Sequence, residues 1–156
     1  MYMFRPPKFK TSICVEPSGD YEQCLQISWQ ELGSYFEQRN LSWNMDDRLA
    51  YFCTTELFKV YEQDEIGFFM ILEQEQRFIV ADIHVYSAYR NKGYGSKILQ
   101  YIKNMALSRG FFRVWLNVFA DNPAVRLYER SGFKVETEKH SGSLMSCELT
   151  RKGRRV

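Results

Sequence analysis

A strand-like segment of the chain turns into a helix-like segment at Tyr89-Arg90-Asn91-Lys92-Gly93-Tyr94-Gly95-Ser96. The apolar residues 78–85 precede this turn, and an amphipathic helix is predicted over residues 95–108. Two glycines in such a turn allow the backbone to approach a ligand closely. The first N–H groups of a helix favour an anion, and Arg90 and Lys92 add positive charge beside them. The stretch therefore predicts a turn that binds phosphate or pyrophosphate.

Two common phosphate-binding patterns fit this turn poorly. A P-loop requires a glycine, four residues and then Gly-Lys-Ser/Thr, but Ser96 and Lys97 follow the second glycine in the reverse order. A dinucleotide-binding fingerprint requires a third glycine where Ile98 stands, and it lies early in a chain rather than past the middle. Neither class of nucleotide-binding protein is favoured.

The spacing Arg90-x-x-Gly93-x-Gly95 resembles the acetyl-CoA pyrophosphate loop of the GNAT superfamily of N-acetyltransferases. Residues 117–133 are similar to a second block of that superfamily, which reads Asn, a short gap, Asn-Ala, a helix, Leu-Tyr and then Gly-Phe. Upstream, Glu65-Ile66-Gly67-Phe68 resembles a strand that many members share. The order and spacing of the three blocks suggest that the chain is a member of this superfamily.

Length and composition agree with one globular domain. The 156 residues are enough for a hydrophobic core, and we expect a single GNAT-like domain over residues 1–156 with loose ends at 1–9 and 150–156. The apolar fraction of 45% and the charged fraction of 26% are typical of soluble proteins. A net charge of +2 does not favour nucleic-acid binding, except through the basic tail Arg151–Arg155.

The sequence predicts a cytoplasmic protein that does not contact a membrane. No apolar run approaches the roughly 18 residues of a membrane span, and proline and lysine interrupt the first residues too early for a secretory signal. Four cysteines lack CxxC spacing: Cys14, Cys24, Cys53 and Cys147. They predict free thiols in a reducing compartment. Only His84 and His140 could supply an imidazole ligand, so no metal site is expected.

Hydrophobic periodicity and turn residues predict alternating strands and helices. Strands are predicted over residues 10–15, 57–61, 66–72, 78–85, 113–118, 133–137 and 144–149. Helices are predicted from Asp20, over residues 46–52 and 95–108, and between Asn122 and Gly132. Asp20 and Gln23 form a capping-box-like pair at the start of the first helix. Residues 63–64 predict the turn of a hairpin.

Strict alternation divides the strand of residues 78–85 into two faces. One face carries Ile79, Ala81, Ile83 and Val85, and the other carries Phe78, Val80, Asp82 and His84. The second face becomes polar just before the glycine turn, as a ligand cleft requires. The strand–turn–helix–strand unit predicts a parallel pair with a right-handed crossover. With the resemblance, this gives an α/β, GNAT-like fold: a mixed, mostly antiparallel central sheet with one splayed parallel pair, flanked by about four helices.

The resemblance implies that acetyl-CoA is the co-substrate and lies between the two splayed strands. The backbone of Ile83 and Val85 would pair with the pantetheine amides, and an N–H near Val85 would polarise the thioester carbonyl. The pyrophosphate would lie against the main chain of Arg90, Asn91, Lys92, Gly93, Tyr94, Gly95 and Ser96. Further contacts of the coenzyme or acceptor are expected from Asn117, Asn122 and Tyr128.

Acetyl transfer to an amine requires a base for the ammonium proton and an acid for the leaving thiolate. Tyr128 lies in the Leu-Tyr position where the resemblance places the acid. Asp82 and His84 are the candidate bases, acting directly or through water. Some members carry a Glu where Asn117 stands, and an amide cannot replace it as a base. Glu65 and Glu73 lie on the predicted hairpin and are expected to be solvated.

The acceptor pocket is expected between the first helix, residues 39–47 and residues 140–142. Trp29 and Trp43 are its aromatic candidates, and Asp46 could attract a cationic amine. The predicted function is transfer of an acetyl group to the primary amine of a small molecule or peptide. Two alternatives stay open on the same fold: a catalytically silent CoA-binding module, and a module that binds RNA or protein. The sequence does not determine the oligomeric state, and a homodimer is one candidate because dimers are the commonest assembly.

Overall fold

The computed structural model describes residues 13–150. The strands in this range are β1 (Cys14–Pro17), β2 (Glu56–Glu62), β3 (Asp64–Gln74), β4 (Arg77–Val85), β5 (Arg113–Val118), β6 (Lys134–Lys139) and β7 (Gly142–Glu148). The α-helices are α1 (Tyr21–Gln38), α2 (Met45–Phe52), α3 (Tyr94–Ser108) and α4 (Ala124–Arg130). Residues 10–12 of the first predicted strand and the basic tail lie outside the described residues. None of the helices in the described range is long and apolar enough to cross a membrane.

All seven strands join one sheet in the order β1-β2-β3-β4-β5-β7-β6. Neighbouring strands are antiparallel except β4 and β5, which are parallel and connected through α3. The β2–β3 hairpin turns at Gln63, whose φ is 65°. The predicted mixed sheet, with one parallel pair and about four helices, is confirmed.

The parallel pair separates halfway along its length. Pairing between β4 and β5 covers Phe78–Val80 and Val114–Leu116 only. Beyond that point β4 continues to Val85 against β3, and β5 continues to Val118 against β7. A cleft therefore opens in the middle of the sheet, on the edge where the glycine turn begins.

The strict alternation predicted for β4 is wrong, because the strand contains a β-bulge. Met70 of β3 faces Asp82, whereas the next residue, Ile71, faces Val80. Ala81 is therefore an extra residue without a partner on β3. A bulge of this kind reverses the face on which the following side chains lie.

The reversal moves the polar end of β4 to the other face of the sheet. Phe78 and Val80 pack in the core under α3 and α4, and Ile83 packs against that same core. Asp82 is instead paired with Met70, which belongs to the core under α1 and α2. His84 follows Asp82 onto this face, so the two remain neighbours but point away from Phe78.

The predicted capping box at the start of α1 does not form. Asp20 Oδ2 and Gln23 Oε1 accept hydrogen bonds from Lys59 Nζ at 2.7 and 3.1 Å. Glu65, which was expected to be solvated, also pairs with this ammonium at 3.0 Å. Glu73 pairs with Arg109 at 3.0 Å but stays exposed to solvent, as expected. Lys59 is only 7% exposed, so its ammonium group must be paired within the protein. The N–H groups at the start of α1 can bond to water instead, so Asp20 and Gln23 bind Lys59 rather than cap the helix.

Gly67 allows β3 and β4 to approach closely beside the cleft. A Cβ at Gly67 would lie 2.2 Å from the carbonyl oxygen of His84, a backbone atom that cannot move aside without disturbing the strand pair. Gly67→Ala should therefore lower the free energy of unfolding by about 1–3 kcal/mol, measured by denaturant titration. Gly19→Ala is the matched control, because a Cβ there would meet nothing within 4 Å. Equal stability of the two variants would contradict this packing.

Candidate functional site

The turn before α3 presents a row of unused backbone donors. Gly93 is the N-cap of α3 with a φ of 84°, and Asn91 is also left-handed with a φ of 61°. Within the part of the chain that the structure describes, the N–H groups of residues 91–96 have no hydrogen-bond acceptor. A Cβ on Gly93 would meet nothing within 4 Å, so space is open in front of these donors. Successive N–H groups at the start of a long helix fit a diphosphate.

Gly95 has a packing role in addition to its place in this turn. A Cβ at this position would lie 2.7 Å from Leu127 Cδ2, so the glycine lets α3 approach α4.

The two cations of the turn differ in whether their side chains are paired within the protein. The Arg90 side chain donates to the carbonyl of Val85 at 3.0 Å and pairs with Glu31 of α1 at 2.8 Å. Lys92 is exposed, with Nζ 5.9 Å from the ring of Tyr89.

Polar groups along the cleft already have internal partners. The Ile83 N–H donates to Asp82 Oδ1 at 3.1 Å, and the Val85 carbonyl is used by Arg90. Asn117 is exposed on β5 and donates to the carbonyl of Ser141 at 3.5 Å. The Asn122 side chain accepts from Ala124 N at 2.9 Å, as the cap of α4. A coenzyme bound in the cleft would replace the hydrogen bonds that the Ile83 N–H makes to Asp82 and that the Val85 carbonyl accepts from Arg90.

Asp82 and His84 form a buried charged pair at the head of the cleft. His84 Nε2 lies 2.7 Å from Asp82 Oδ1, and the two side chains are only 9% and 8% exposed. At this distance the protonated imidazole and the carboxylate form an ion pair, although Nε2 has no hydrogen bond of ordinary geometry. Asp82 Oδ2 is buried and has no hydrogen-bond partner among the described residues.

The surroundings of His84 favour its protonated form. Burial by itself would lower the imidazole pKa, but the Asp82 carboxylate outweighs burial and the pKa is raised. Glu31 adds to the rise, whereas the Arg90 guanidinium opposes it. His84 therefore keeps its proton to higher pH than a free imidazole and becomes a base above that raised pKa.

Tyr128 lies across the cleft on α4 and is held in the core. Its ring is 7% exposed and packs against Phe133 at 6.0 Å between ring centroids. Burial raises the pKa of the Tyr128 hydroxyl, and the negative charge of Asp82 raises it further. No described residue accepts a hydrogen bond from this hydroxyl, which stays a neutral phenol at working pH.

An aromatic cluster joins α1, the loop after it and the end of β5. Its members are Trp29, Tyr35, Phe36, Trp43 and Phe119. The Trp29 and Trp43 rings, both predicted for the acceptor pocket, lie 5.3 Å apart. Phe36 bridges Trp43 at 4.9 Å and Phe119 at 5.3 Å, so the cluster connects α1 to the end of β5. Asp46, the third predicted pocket residue, lies exposed in the first turn of α2.

Two arginines lie over this aromatic cluster: Arg39 begins the loop predicted to line the acceptor pocket, whereas Arg48 is not predicted as a site residue. Arg39 stacks on Phe119 at 4.4 Å, forms an ion pair with Asp121 and receives the His140 ring on its carbonyl at 2.8 Å. Arg48 stacks on Phe36 at 4.7 Å and on Trp43 at 4.5 Å. The loop after α1 and the β6–β7 turn therefore meet at this contact.

Tyr51 is a further neighbour that the sequence did not reveal. It follows Arg48 by three positions on α2, and helical spacing places the two on one face. The charge of Asp82 acts on both side chains. The sequence shows that Arg48 and Tyr51 share one face of a helix. Only the fold shows that Asp82 is the charged residue that this face lies near.

Two surface cavities lie away from this cleft. A cavity of about 340 Å³ is lined by residues that include Phe111, Phe112 and Trp115, and one of about 480 Å³ includes Tyr21 and Cys53. Neither holds the charged pair or the free N–H groups. The cleft is the candidate site because both the Asp82–His84 pair and the free N–H groups of residues 91–96 border it. An open groove between two strands encloses little volume, which is why it does not stand out as a cavity.

Comparison with known proteins gives matches to one family. The sequence profile of the Acetyltransferase (GNAT) family matches residues 16–133. Over 81 residues the chain is 35% identical to the uncharacterized N-acetyltransferase YycN of Bacillus subtilis (strain 168), covering 49% of this chain and 52% of that protein. Over 59 residues it is 37% identical to streptothricin acetyltransferase of Streptomyces lavendulae, covering 37% of this chain and 31% of that protein. The chain thus spans about half the length of the first relative and less of the second.

Solved structures extend the likeness to nearly the whole fold. The PaiA N-acetyltransferase from Thermoplasma acidophilum, in complex with coenzyme A, matches with a TM-score of 0.68. The match covers 89% of this chain and 100% of that chain at 14% sequence identity. At this identity the match shows the fold alone.

The contact between Asp82 and His84 predicts how His84 titrates. In Asp82→Asn the carboxylate that contributes most to raising the His84 pKa is gone, whereas burial and the Arg90 charge still lower it, so that pKa should fall despite Glu31. An NMR titration of the imidazole signals measures the shift. Asp121→Asn removes a carboxylate paired with Arg39 instead and should leave the His84 titration unchanged. An unchanged pKa in Asp82→Asn would show that the two groups do not interact.

Proposed function

The chain belongs to the acetyltransferase (GNAT) family, and from this we propose that it transfers an acetyl group from acetyl-CoA to the primary amine of an acceptor. One observation carries the proposal: the free N–H donors of residues 91–96 follow β4 directly, and β4 ends with the buried pair Asp82 and His84. An anion-binding turn and a proton acceptor are thus joined by the open edge of one strand.

The residues of the cleft fit the coenzyme. The N–H groups of residues 91–96 would hold its diphosphate, while the free edge of β4 beyond Val80 would take the pantetheine arm. The Ile83 N–H and the Val85 carbonyl are the backbone groups that we assign to that arm, with Asn117 and Asn122 near its reactive end. Bound acetyl-CoA supplies an acyl carbonyl activated as a thioester. Coenzyme A in the related PaiA structure supports this assignment.

Removal of a proton from the acceptor is the first chemical demand. An alkylammonium with a pKa of about 10.4 is neutral about once in 2,500 molecules at pH 7, a deficit of roughly 4.6 kcal/mol. Asp82 and His84 are the groups that we assign to take this proton, directly or through water. Because the His84 pKa is raised, His84 accepts a proton only above that value, so turnover should rise with pH through this range.

The atoms and charges of the transfer balance as follows. The ammonium loses one proton to the Asp82–His84 pair, and the nitrogen lone pair forms the new C–N bond. The C–S bond breaks, the thiolate takes the proton of Tyr128, and the nitrogen loses its second proton, which restores Tyr128. The net products are an N-acetyl amine, coenzyme A and one proton. The raised pKa of Tyr128 suits this role, since the phenol is fully protonated before transfer.

We also propose that the chain forms one domain and works in the cytoplasm. The free thiols of all four cysteines support a reducing compartment.

Gly93→Glu tests the diphosphate site. A carboxylate in front of the free N–H groups would occupy the space and repel the diphosphate, so affinity for coenzyme A should fall by about 100-fold or more in calorimetric titration. Gly110→Glu is a closely matched control, because Gly110 has a φ of 85° and equally open surroundings at the other end of α3. If the two variants bind coenzyme A equally, the site lies elsewhere.

Tyr128→Phe tests the proton donor. Loss of the hydroxyl should lower kcat about 100-fold, the low end of general acid catalysis, with little change in coenzyme affinity, because the ring remains packed. Thiol release with acetyl-CoA and an amine measures kcat, and calorimetry measures binding. Phe133→Leu alters packing against the same ring without touching the hydroxyl and serves as the control. Full turnover by Tyr128→Phe would assign the donor elsewhere.

A further inference from the structure

Arg48 has no hydrogen-bond or ion-pair partner among the described residues of the proposed acceptor pocket. Its guanidinium is partly buried over the rings of Phe36 and Trp43, yet no described residue forms a hydrogen bond or ion pair with it. Arg39, on the same aromatic cluster, is bonded to the Tyr35 carbonyl and paired with Asp121. A guanidinium carries five N–H donors, and leaving them unpaired away from bulk water is costly. Arg48 therefore has the properties of a binding group whose partner comes from outside the chain.

Asp82 has the complementary open group. Its Oδ1 is used by the Ile83 N–H and the His84 ring, whereas Oδ2 is buried and unpaired within residues 13–150. Met70, the partner of Asp82 on β3, packs in one core with Phe52 of α2, the helix that carries Arg48. An anionic oxygen without a hydrogen-bond partner and a cation without one thus lie on elements that pack on the same core, beside the proposed base.

We propose that the acceptor is a free amino acid, whose ammonium group lies at Asp82 Oδ2 and whose carboxylate is held by Arg48. The inference rests on the proposed acetyl transfer and names its substrate class. A zwitterion satisfies both open groups at once, and a carboxylate matches the fork of a guanidinium. A polyamine or aminoglycoside offers only positive charge, which would leave Arg48 unpaired and repelled.

The same arrangement explains how the amine reaches its base. An ammonium group at Asp82 Oδ2 is next to His84, so the group that orients the acceptor also begins its deprotonation. Arg48 fixes the other end of the molecule, and a two-point contact limits rotation of the amine. The aromatic rings of Phe36 and Trp43 hold Arg48 in place, which assigns the aromatic cluster to support of the guanidinium rather than to direct binding of a cationic amine.

The experiment compares acceptors that differ only in the carboxylate. The common L-amino acids are assayed with acetyl-CoA by thiol release, each beside the amine that lacks its carboxylate, such as L-phenylalanine and phenethylamine. The wild-type protein should favour the amino acid of the preferred pair by about 10- to 100-fold in kcat/KM, the range of a charge-assisted contact. In Arg48→Gln the ratio should fall towards one, and Arg48→Lys should give an intermediate ratio. Arg39→Gln is the matched control and should retain the wild-type preference.

Two results of this assay would overturn the proposal. One is a wild-type enzyme that acetylates amines as well as or better than their amino acids. The other is an Arg48→Gln variant that slows both members of a pair equally, which would mean that Arg48 acts on Asp82 and not on the acceptor.

A binding measurement separates this inference from the acetyl-transfer proposal. The coenzyme A complex is titrated calorimetrically with the same amino acids and amines. Binding of an amino acid that weakens about 10-fold or more in Arg48→Gln supports the pocket even if no acceptor turns over, in which case acetyl transfer fails alone. If no amino acid binds while coenzyme A does, the inference is wrong and the coenzyme site stands. Thermal unfolding of each variant confirms that it is folded before either comparison.

Discussion

The parting of β4 from β5 after Val80 and Leu116 is the constraint on which the rest of the structure depends. Paired strands bury their backbone groups in each other, whereas two strands that diverge leave one edge of each open. The opening points at the start of α3, where the N–H groups of residues 91–96 are also unused. The fold thus leaves backbone groups without a strand partner along one path, and an extended ligand with a diphosphate end can bind them once it replaces the side-chain contacts of Ile83 and Val85.

The bulge at Ala81 determines the chemistry beside that path. Without the extra residue, Asp82 and His84 would point into the apolar core under α3, where neither could be paired or reached. With it, they face α1 and α2, beneath the aromatic cluster and its two arginines. Burial makes each charge there sensitive to its neighbours, so Asp82 raises the pKa of both His84 and Tyr128. The Asp82–His84 pair is therefore suited to accept a proton. The Tyr128 phenol is suited to remain protonated until the thiolate leaves.

Much of the fold could be predicted from the sequence, because its signals are local. Alternation along residues 113–118 and the glycines at 93 and 110 give the strand and the ends of α3 closely, and the parallel pair follows from the strand–turn–helix–strand order. The bulge could not be predicted, since its cause is the register with β3 and not the composition of β4. The prediction of a capping box was wrong for a similar reason, because it also depends on a distant residue. Lys59 lies far along the chain and binds Asp20 and Gln23. The same holds for the candidate site. Asp82 and His84 can be predicted from their place at the end of a strand, whereas Arg48 becomes a candidate only once the fold brings α2 near them.

A crystal structure of the protein with coenzyme A is the most direct test of the central claim. The account predicts diphosphate oxygens at about 2.7–3.2 Å from several N–H groups of residues 91–96, with the pantetheine arm between β4 and β5 and its sulfur near Asp82 and Tyr128. Coenzyme bound on another surface, or β4 and β5 paired along their full length with the turn empty, would contradict it.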